Sequence, residues 1–275
     1  MKKFLVTTDL SPASHNATKY AVDLAEATGA EIILLSVTPL GFLIDDSMLA
    51  SIMITQAEIM EKNKTMLKEE ADLFSGSNSI SIKSLAVEGD PANTIVNMIN
   101  ENNFDLIIMG TKGRGNSNSI FGSTTTTVIN RVECPILVIP QNSSFEPIKN
   151  IALASDFDTA TEYSTYKSIF LIADKFQSSI SIINVKNKKE DLTQQQVIEK
   201  MNLNQLFSMF THNFYTIDNE NVEDAIIEFT ENNPVHLLAM ISIKHNFFFR
   251  LLGTEHTKKM SYRTKIPLLV VHAKS

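Results

Sequence analysis

Glycine and hydroxyl-bearing residues concentrate in one segment of the chain, residues 110–124, which reads GTKGRGNSNSIFGST. Glycine permits positive φ angles and a close approach of the backbone, so the N–H groups near Gly110, Gly113 and Gly122 can turn toward a phosphate. Ser123 adds a hydroxyl, and the start of a following helix adds a partial positive charge. The segment therefore predicts a phosphate-binding loop, with a flexible connection as the alternative interpretation.

Two common phosphate-binding motifs do not fit this segment. A P-loop requires Gly-Lys-Ser/Thr after the first strand, whereas here Lys112 precedes Gly113 in a loop after the fourth strand. A dinucleotide-binding GxGxxG motif would require glycine at the position of Asn118. The segment therefore belongs to neither of these two classes.

Short apolar segments that alternate with helical patterns must position this loop. They are residues 3–8, 31–37, 80–89, 105–110 and 135–140. Asp90 and Pro91 have the pattern of an N-cap followed by proline at the first helical position. Because nearly uninterrupted apolar strands alternate with helices, the sequence predicts a doubly wound α/β fold whose parallel sheet is covered on both faces.

Open α/β sheets bind ligands at the carboxyl ends of their strands, and several polar residues of this chain follow such ends. Thr7, Thr8 and Asp9 follow the first strand. Val37 ends the second strand, and the glycine-rich loop follows the fourth. Asp9 also has a structural alternative, because an aspartate here can cap the first helix through its own side chain or that of Ser11.

The same order of elements begins again after a linker-like segment, residues 141–147. The segments that repeat the first-half strands are residues 149–158, 179–185, 235–240 and 266–271. Asp156 lies 147 residues after Asp9, but Met240 lies only 131 residues after Met109, so the second half has lost about sixteen residues. The sequence predicts two tandem domains of five strands each, residues 1–142 and residues 147–275.

The second half departs from the first in its glycine-rich loop. Ile241 and Lys244 occupy the positions of Gly110 and Gly113, and only the pair Gly253-Thr254 is kept. Side chains then fill the space where backbone would approach a phosphate. We predict that the second site is degenerate, with the three phenylalanines at 247–249 acting as a packed plug or a contact surface.

The stretches TTDLS, ILLSV, GDPANTI, DLIIMGTKGRG, FGSTT and CPILVIP together resemble the universal stress protein family in its tandem two-domain form. The resemblance covers essentially the whole chain and implies an adenine-nucleotide α-hydrolase-like fold of the Rossmann-like type. ATP-binding members of the family carry Gly-x2-Gly-x9-Gly-Ser/Thr after the fourth strand. This chain has eight residues, 114–121, between Gly113 and Gly122, where the family pattern has nine.

The resemblance implies a role for each matching residue. Asp9 would lie at the nucleoside, with Thr7 at the family's usual proline position, and Val37 would contact adenine through its backbone. Met109 and Gly110 would line the floor of the nucleotide site, and the glycines and hydroxyl residues that follow would hold the phosphates. The complete set of nucleotide-binding residues that it implies is Thr7, Thr8, Asp9, Val37, Met109, Gly110, Gly113, Gly122, Ser123 and Thr124.

Charge and cysteine content limit the partners and the cellular compartment that we expect for this 275-residue chain. Its 24 Lys and Arg residues against 31 Asp and Glu residues give a net charge of −7, which argues against nucleic-acid or anionic-membrane partners. Cys134, the one cysteine, cannot form an intramolecular disulfide, so a reducing cytoplasm is the simplest setting. No apolar run approaches the ~20 residues of a membrane span, so we do not expect export or membrane insertion.

The preferred function is a cytoplasmic stress-response protein that binds ATP, or AMP or ADP, in its first domain, with Mg²⁺ held through the phosphates. It would signal to a protein partner that the sequence does not identify, and any ATP hydrolysis would be slow, because no activated nucleophile is recognisable. We expect the last strands of the two domains to pair as an intrachain pseudo-dimer, and a homodimer is possible. An interaction protein without nucleotide is the main alternative, and an adenylating enzyme is a weaker one.

His15 and Cys134 are interpreted as structural residues rather than catalytic ones. His15 is a lone histidine on a helix, and Cys134 precedes Pro135 at the start of a buried strand. We therefore expect neither side chain to take part in chemistry.

Overall fold

Strands and helices alternate along the chain. The structure, a computed structural model, describes residues 1–39, 49–77, 80–111, 122–158, 162–186, 191–242 and 266–273. The first half contains β1 (Lys3–Thr7), α1 (Pro12–Thr28), β2 (Glu31–Thr38), α2 (Leu49–Ser77), β3 (Ile82–Glu88), α3 (Pro91–Glu101), β4 (Leu106–Gly110), α4 (Ser123–Arg131) and β5 (Ile136–Ile139). The second half contains β6 (Asn150–Ala154), α5 (Tyr163–Phe176), β7 (Ser179–Lys186), α6 (Gln194–Leu206), β8 (His212–Asp218), α7 (Val222–Asn232), β9 (Leu237–Ser242) and β10 (Leu268–His272).

All of these strands form one sheet in the order β3-β2-β1-β4-β5-β10-β9-β6-β7-β8. Pairing is parallel within each half, and β5 and β10 pair antiparallel, with Leu269 opposite Leu137. The fold class is confirmed as α/β with two tandem five-stranded parallel units. The expected pairing of the last strands is also confirmed, and it covers two edges that would otherwise be unpaired. The residue limits of the two domains remain a prediction.

Helices cover both faces of the sheet. Successive residues of β1 alternate between the faces, so Phe4 and Val6 pack on one core and Leu5 packs on the other. The helices α1, α2, α5 and α6 contribute to the first core, and α3, α4 and α7 contribute to the second. Burial on both faces explains the nearly continuous apolar runs that the sequence shows for the strands.

The predicted start of α3 is confirmed. The Asp90 carboxylate accepts a hydrogen bond from the Asn93 N–H at 2.9 Å, and proline occupies the first turn. Gly89 precedes this cap with φ of 152°, and a Cβ there would lie 2.5 Å from Thr94 Oγ1. Glycine is therefore required at this position for both conformation and space.

Candidate functional site

A cavity of about 420 Å³ lies at the carboxyl ends of β1, β2 and β4 and at the start of α4. We call it the first-half cavity. The predicted site residues that line it are Thr7, Thr8, Asp9, Val37, Met109, Gly110, Gly122, Ser123 and Thr124. Gly113 lies outside the described residues. The topology thus brings three separate chain segments together at one place, because parallel strands end at the same edge of the sheet.

The turn after β1 holds Asp9 in a defined position. Asp9 Oδ1 accepts hydrogen bonds from the Ser11 N–H at 3.1 Å and from the Ser14 hydroxyl at 2.8 Å. Thr8 Oγ1 accepts from the N–H of Leu10, whose φ of 60° turns the chain into α1. The structural alternative for Asp9 is therefore confirmed, because its side chain organises the start of the helix. The same residue also lines the cavity, so the two interpretations are compatible.

The amino terminus of α4 forms another wall of the cavity. Gly122 is the N-cap, and no side chain of the described residues caps this helix. The first-turn residues Ser123, Thr124 and Thr125 line the cavity. The Thr125 hydroxyl donates to the Gly110 carbonyl at 3.2 Å and ties the helix to the end of β4. An uncapped helix start presents N–H groups and a partial positive charge, which favour an anion.

Gly122 does not have the positive φ that the sequence analysis attributes to the loop glycines. Its φ is −58° and its ψ is 156°, values that any residue adopts. A Cβ at this position would meet only the Thr111 carbonyl oxygen, at 4.0 Å. Neither conformation nor packing within the described chain therefore requires glycine here. What the missing side chain provides is free space beside the start of α4.

The described walls of the first-half cavity separate an apolar side from a polar side. Leu35, Ile95 and Met109 contribute apolar surface, whereas Ser123 and Thr124 contribute hydroxyl groups at the helix start. Asp9 is the one ionisable side chain among the described lining residues. This arrangement suits a ligand that carries a flat apolar group at one end and an anionic group at the other.

Several residues that line the first-half cavity were not predicted from the sequence: Ser36, Pro39, Asn63, Pro91 and Ile95. Asn63 donates to Thr38 Oγ1 at 2.9 Å and so links α2 to the end of β2. A signal existed for this residue, because it lies four positions before the buried Leu67 and therefore places an amide on the inner face of α2. Pro91 was identified as part of a helix cap but not as part of the wall.

The second half repeats the turn but not the cavity walls. Strand register aligns Gly110 with Ile241, which is buried. Phe157 has φ of 59°, matching Leu10, and Asp156 Oδ1 accepts the Asp158 N–H at 3.1 Å. These repeated details agree with a duplication in which the backbone persists while the side chains change.

Polar side chains of the second half contact the turn after β6 directly. The Gln196 amide donates to the Asp156 carbonyl at 3.3 Å and to Asp158 Oδ1 at 2.9 Å. The Asn184 amide donates to the Ser155 carbonyl at 3.0 Å. Burial raises the pKa of Asp156 above its ordinary value. The hydrogen bond from the Asp158 N–H opposes this rise, and the charge of the Asp158 carboxylate adds to it.

The second-half loop, in which the site was predicted to be degenerate, lies outside the described residues. This loop contains Lys244, the pair Gly253-Thr254 and the phenylalanines at 247–249. The degenerate second site therefore stays a prediction. Ile241 supports it, because it places a buried side chain where the first half has glycine.

His15 and Cys134 have structural surroundings. His15 Nδ1 lies 3.1 Å from Glu70 Oε1, and the His15 ring packs 5.2 Å from the Phe74 ring. The Cys134 thiol donates to the Phe104 carbonyl at 3.3 Å, and burial raises the pKa of this thiol to about 12. Such a thiol is almost entirely protonated at neutral pH and is a poor nucleophile.

The described residues contain neither a metal-binding cluster nor a membrane-spanning helix. No three His, Cys, Asp or Glu side chains there group as a metal site. No helix in the described ranges is long and apolar enough to cross a membrane.

Comparison with known proteins agrees with this architecture. Residues 1–140 match the family model described as the Universal stress protein family. A universal stress protein of Methanocaldococcus jannaschii is 30% identical over 139 residues, which cover 50% of this chain and 81% of that protein. One from Synechocystis is 30% identical over 142 residues, covering 50% of this chain and 85% of that protein. A crystal structure of a universal stress protein from Archaeoglobus fulgidus shares the fold over 98% of both chains, with a TM-score of 0.69 and 17% identity. The chain belongs to the universal stress protein family.

Proposed function

We propose that the first-half cavity binds an adenine nucleotide, ATP in preference to ADP or AMP, and that the protein responds to this nucleotide in a stress-response or signalling role. One observation carries the proposal. The uncapped start of α4 and the ends of β1, β2 and β4 meet at a single cavity of about 420 Å³. That volume lies within the range of ligand-binding pockets, roughly 300 to 1,000 Å³.

The described walls suggest how such a nucleotide would lie. Its base would rest near Val37 and the apolar wall at Met109, and its ribose would lie near Asp9. Its phosphates would face the N–H groups and hydroxyls of Ser123 and Thr124 at the start of α4. Gly122 would leave the space that the phosphates need.

Mg²⁺ would accompany ATP through the phosphates rather than through a site of its own. This ion keeps several waters and takes few protein oxygen atoms. The described walls fit that requirement, because the Ser123 hydroxyl is an oxygen ligand beside the expected phosphates.

A slow or absent hydrolysis follows from the same walls. A hydrolase needs a group that activates water within hydrogen-bond reach of the phosphate. Among the described lining residues only Asp9 is ionisable, and its Oδ1 accepts two hydrogen bonds from the helix start. We therefore propose that the site serves binding and signalling, with ATP hydrolysis at most slow. A protein partner in the cytoplasm would respond to the bound nucleotide.

A second candidate function is an interaction protein that binds no nucleotide in either half. The spacing of eight residues between Gly113 and Gly122, one fewer than the family pattern, favours this candidate. A shorter loop narrows the space around the phosphates.

Titration calorimetry of the full chain with ATP, ADP and AMP in the presence of Mg²⁺ decides between the two functions. We expect one equivalent of ATP per chain. Gly122→Val should weaken binding at least tenfold, about 1.4 kcal/mol, because its methyl groups enter the space beside α4. Gly76→Val is the matched control, since a Cβ there meets nothing within 4 Å and Gly76 does not line the cavity.

Absence of heat with all three nucleotides would overturn the proposal and leave the interaction protein. Normal ATP binding by Gly122→Val would also contradict the site, even if ATP binds elsewhere on the chain.

A further inference from the structure

The sheet formed by the described strands ends in two edge strands, β3 in the first half and β8 in the second. An edge strand exposes a row of backbone N–H and C=O groups that can pair with a further strand. β3 carries the exposed charges of Lys83 and Glu88, and Lys83 Nζ lies 3.9 Å from Glu31 Oε2. β8 carries no lysine, arginine or proline, and its one acidic residue, Asp218, is at its end. The edge at β3 is therefore protected against strand pairing, and the edge at β8 is not.

The backbone groups that β8 turns outward belong to alternate residues. The Thr211 carbonyl accepts a hydrogen bond from the Ile180 N–H at 2.9 Å. At the other end of the strand, the Asn219 N–H donates to the Lys186 carbonyl at 3.0 Å. Odd-numbered residues therefore point toward β7, and no described strand pairs with the other side of β8. Because alternate residues of a strand point their N–H and C=O groups to opposite sides, the outward-facing residues are 212, 214, 216 and 218.

Formally charged residues are absent from a long stretch around this edge. Residues 201–217 contain no Asp, Glu, Lys or Arg, in a chain of which 20% is charged. Asp218 Oδ1, which follows this stretch, lies 3.9 Å from Lys186 Nζ of the same chain. The net charge of −7 makes two copies of the chain repel each other, and an uncharged stretch reduces that repulsion locally. Its Met, Phe and Tyr residues are also typical of the core of protein interfaces.

Two contacts show how α6 lies along β8. Lys200 Nζ lies 5.3 Å from the centre of the Phe214 ring, and Asn204 Oδ1 lies 3.1 Å from His212 Nε2. A helix rises about 1.5 Å per residue and a strand about 3.3 Å, so four residues of α6 span the same ~6 Å as two residues of β8. Tyr215, the middle residue of β8, is therefore level with about residue 198 of α6.

Exposed apolar side chains lie at this level on both faces of the sheet. Val197 and Met201 each precede a contact residue of α6 by three positions, so they lie on the same side of the helix. They are 44% and 67% exposed. On the other face, Tyr215 is 38% exposed, and its ring lies 5.0 Å from the Phe229 ring of α7. The middle of β8 is thus flanked by apolar surface above and below the sheet.

We propose that two copies of this chain form a two-fold homodimer in which β8 pairs antiparallel with β8 of the second copy, centred on Tyr215. In this register Phe214 lies opposite Thr216 of the second copy, and His212 lies opposite Asp218. Each outward-facing residue then meets an outward-facing residue, and each such pair exchanges two hydrogen bonds. No like charges lie opposite each other.

This self-complementarity is what favours a second copy over an unrelated strand. A register shifted by one residue would set outward-facing residues against residues that point toward β7, and the hydrogen bonds would be lost. In the centred register, Val197 and Met201 of both copies lie close to the two-fold axis and cover each other. The dimer joins the second halves and leaves the first-half cavity open, so it forms with or without nucleotide.

Sedimentation velocity of the full chain across the micromolar range is the first test. We expect the population to shift with concentration toward a species of twice the chain mass, with and without ATP. A chain that stays monomeric throughout would overturn the proposal, even if another protein binds this edge.

Thr216→Pro removes one outward-facing N–H and leaves the hydrogen bonds between β7 and β8 in place, because proline is tolerated where the N–H of an edge strand faces outward. It should weaken dimerisation about tenfold or more. Ser84→Pro is the matched control, since Ser84 is exposed on β3 and the Ser81 carbonyl there accepts from the Ile32 N–H, which makes even-numbered residues face outward. This control should dimerise like the parent.

Thr216→Lys tests the same edge with its backbone N–H kept, in case the proline variant fails to fold. It gives β8 the kind of charge that protects β3 and should also weaken dimerisation. Circular dichroism checks the fold of each variant. Unchanged dimerisation by a folded Thr216 variant would show that another surface forms the dimer and would contradict the proposal.

Cysteine cross-linking tests the register. Tyr215→Cys places two cysteines directly opposite each other, so mild oxidation should give a disulfide-linked dimer. Asn213→Cys is the control, because it lies opposite Ile217 and its two copies are about 13 Å apart, beyond the reach of a disulfide. The parent, with Cys134 alone, should not cross-link. Cross-linking of Asn213→Cys as readily as Tyr215→Cys would exclude the centred register.

Discussion

The two halves share one backbone plan at the turn after their first strand and differ in what surrounds that turn. In the first half, Asp9 lies beside a cavity of about 420 Å³. In the second half, Asp156 lies where Gln196 and Asn184 contact the turn, with the buried Ile241 in place of glycine. The turn geometry is therefore not what distinguishes the two halves. The side chains that reach the turn from neighbouring elements make the difference.

The two halves can be compared as parts of one molecule only if they unfold together. The β5–β10 pairing provides the largest test of this cooperativity. Leu269→Ala removes a fully buried side chain opposite Leu137. We expect it to lower the free energy of unfolding by about 2–5 kcal/mol. Urea unfolding should remain a single transition, because both cores continue across this pairing.

Leu73→Ala is the control for that substitution, because Leu73 is 61% exposed on α2. It should change stability by less than about 0.5 kcal/mol. Two separate transitions in Leu269→Ala, with only one of them shifted, would show that the halves unfold independently.

The two equivalent aspartates give the most direct test of the difference in function. Asp9→Asn keeps an oxygen that can accept from Ser11 and Ser14 but removes the charge beside the expected ribose. We expect ATP binding to weaken about tenfold, or about 1.4 kcal/mol. Asp156→Asn should leave calorimetric ATP binding unchanged. Equal losses in the two variants would mean that the halves bind nucleotide alike.

Gln196 allows a test of the contacts that surround the turn after β6 in the second half. Gln196→Ala removes the contacts to Asp156 and Asp158 and also the side-chain bond to the Thr193 N–H at 2.9 Å, which starts α6. The loss should be about 1 kcal/mol in chemical denaturation. Gln196→Glu keeps the acceptor for the Thr193 N–H but places a carboxylate against Asp158 Oδ1, so it adds charge repulsion to the loss of the amide donor and should destabilise the turn most at neutral pH.

Neither Gln196 variant should create a second ATP equivalent, because the Ile241 side chain remains in place. A second equivalent in Gln196→Ala would show that Gln196 alone closes this half.

The smallest effect concerns the pH dependence of stability. Because burial raises the pKa of Asp156, its protonated form is favoured in the folded chain. The stabilisation that this gives is complete below the ordinary value of 3.8 and is lost as pH rises through the raised folded pKa. Asp156→Asn should therefore be slightly more stable than the parent at neutral pH and should show a weaker dependence on pH just above 3.8.

Thermal unfolding of the parent and Asp156→Asn across pH 4 to 7 measures this effect. A variant that is less stable than the parent at pH 7 would show that the Asp156 charge stabilises the turn after β6.

Local sequence patterns were sufficient for the elements and for much of the site. Nearly uninterrupted apolar runs marked β1, β2 and β4, and Asp90 with Pro91 marked the start of α3. The expected site residues follow strand ends, and parallel pairing then places those ends together whatever the details of packing. The repeat alignment of Met109 with Met240 also agrees with the strand register.

Tertiary structure decided what depends on elements distant in sequence. Asn63 reaches the end of β2 only because α2 packs across it, and Gln196 reaches the turn after β6 from forty residues away. Gly122 was predicted to adopt a positive φ, but the structure shows that it leaves free space beside the start of α4. That space depends on how the cavity walls assemble and not on the φ of one residue.

A second cavity, of about 200 Å³ and lined by residues of both halves, shows the same limit most clearly. Its walls include Ser168 and His272, which carry no motif and lie more than one hundred residues apart, and which meet because α5 packs against β10. The sequence by itself determined the strands, the helix starts and the doubled plan, since these depend on local periodicity and capping. Only the tertiary structure decided which side chains meet and which buried polar atoms are left without a partner, because both depend on packing between separate elements.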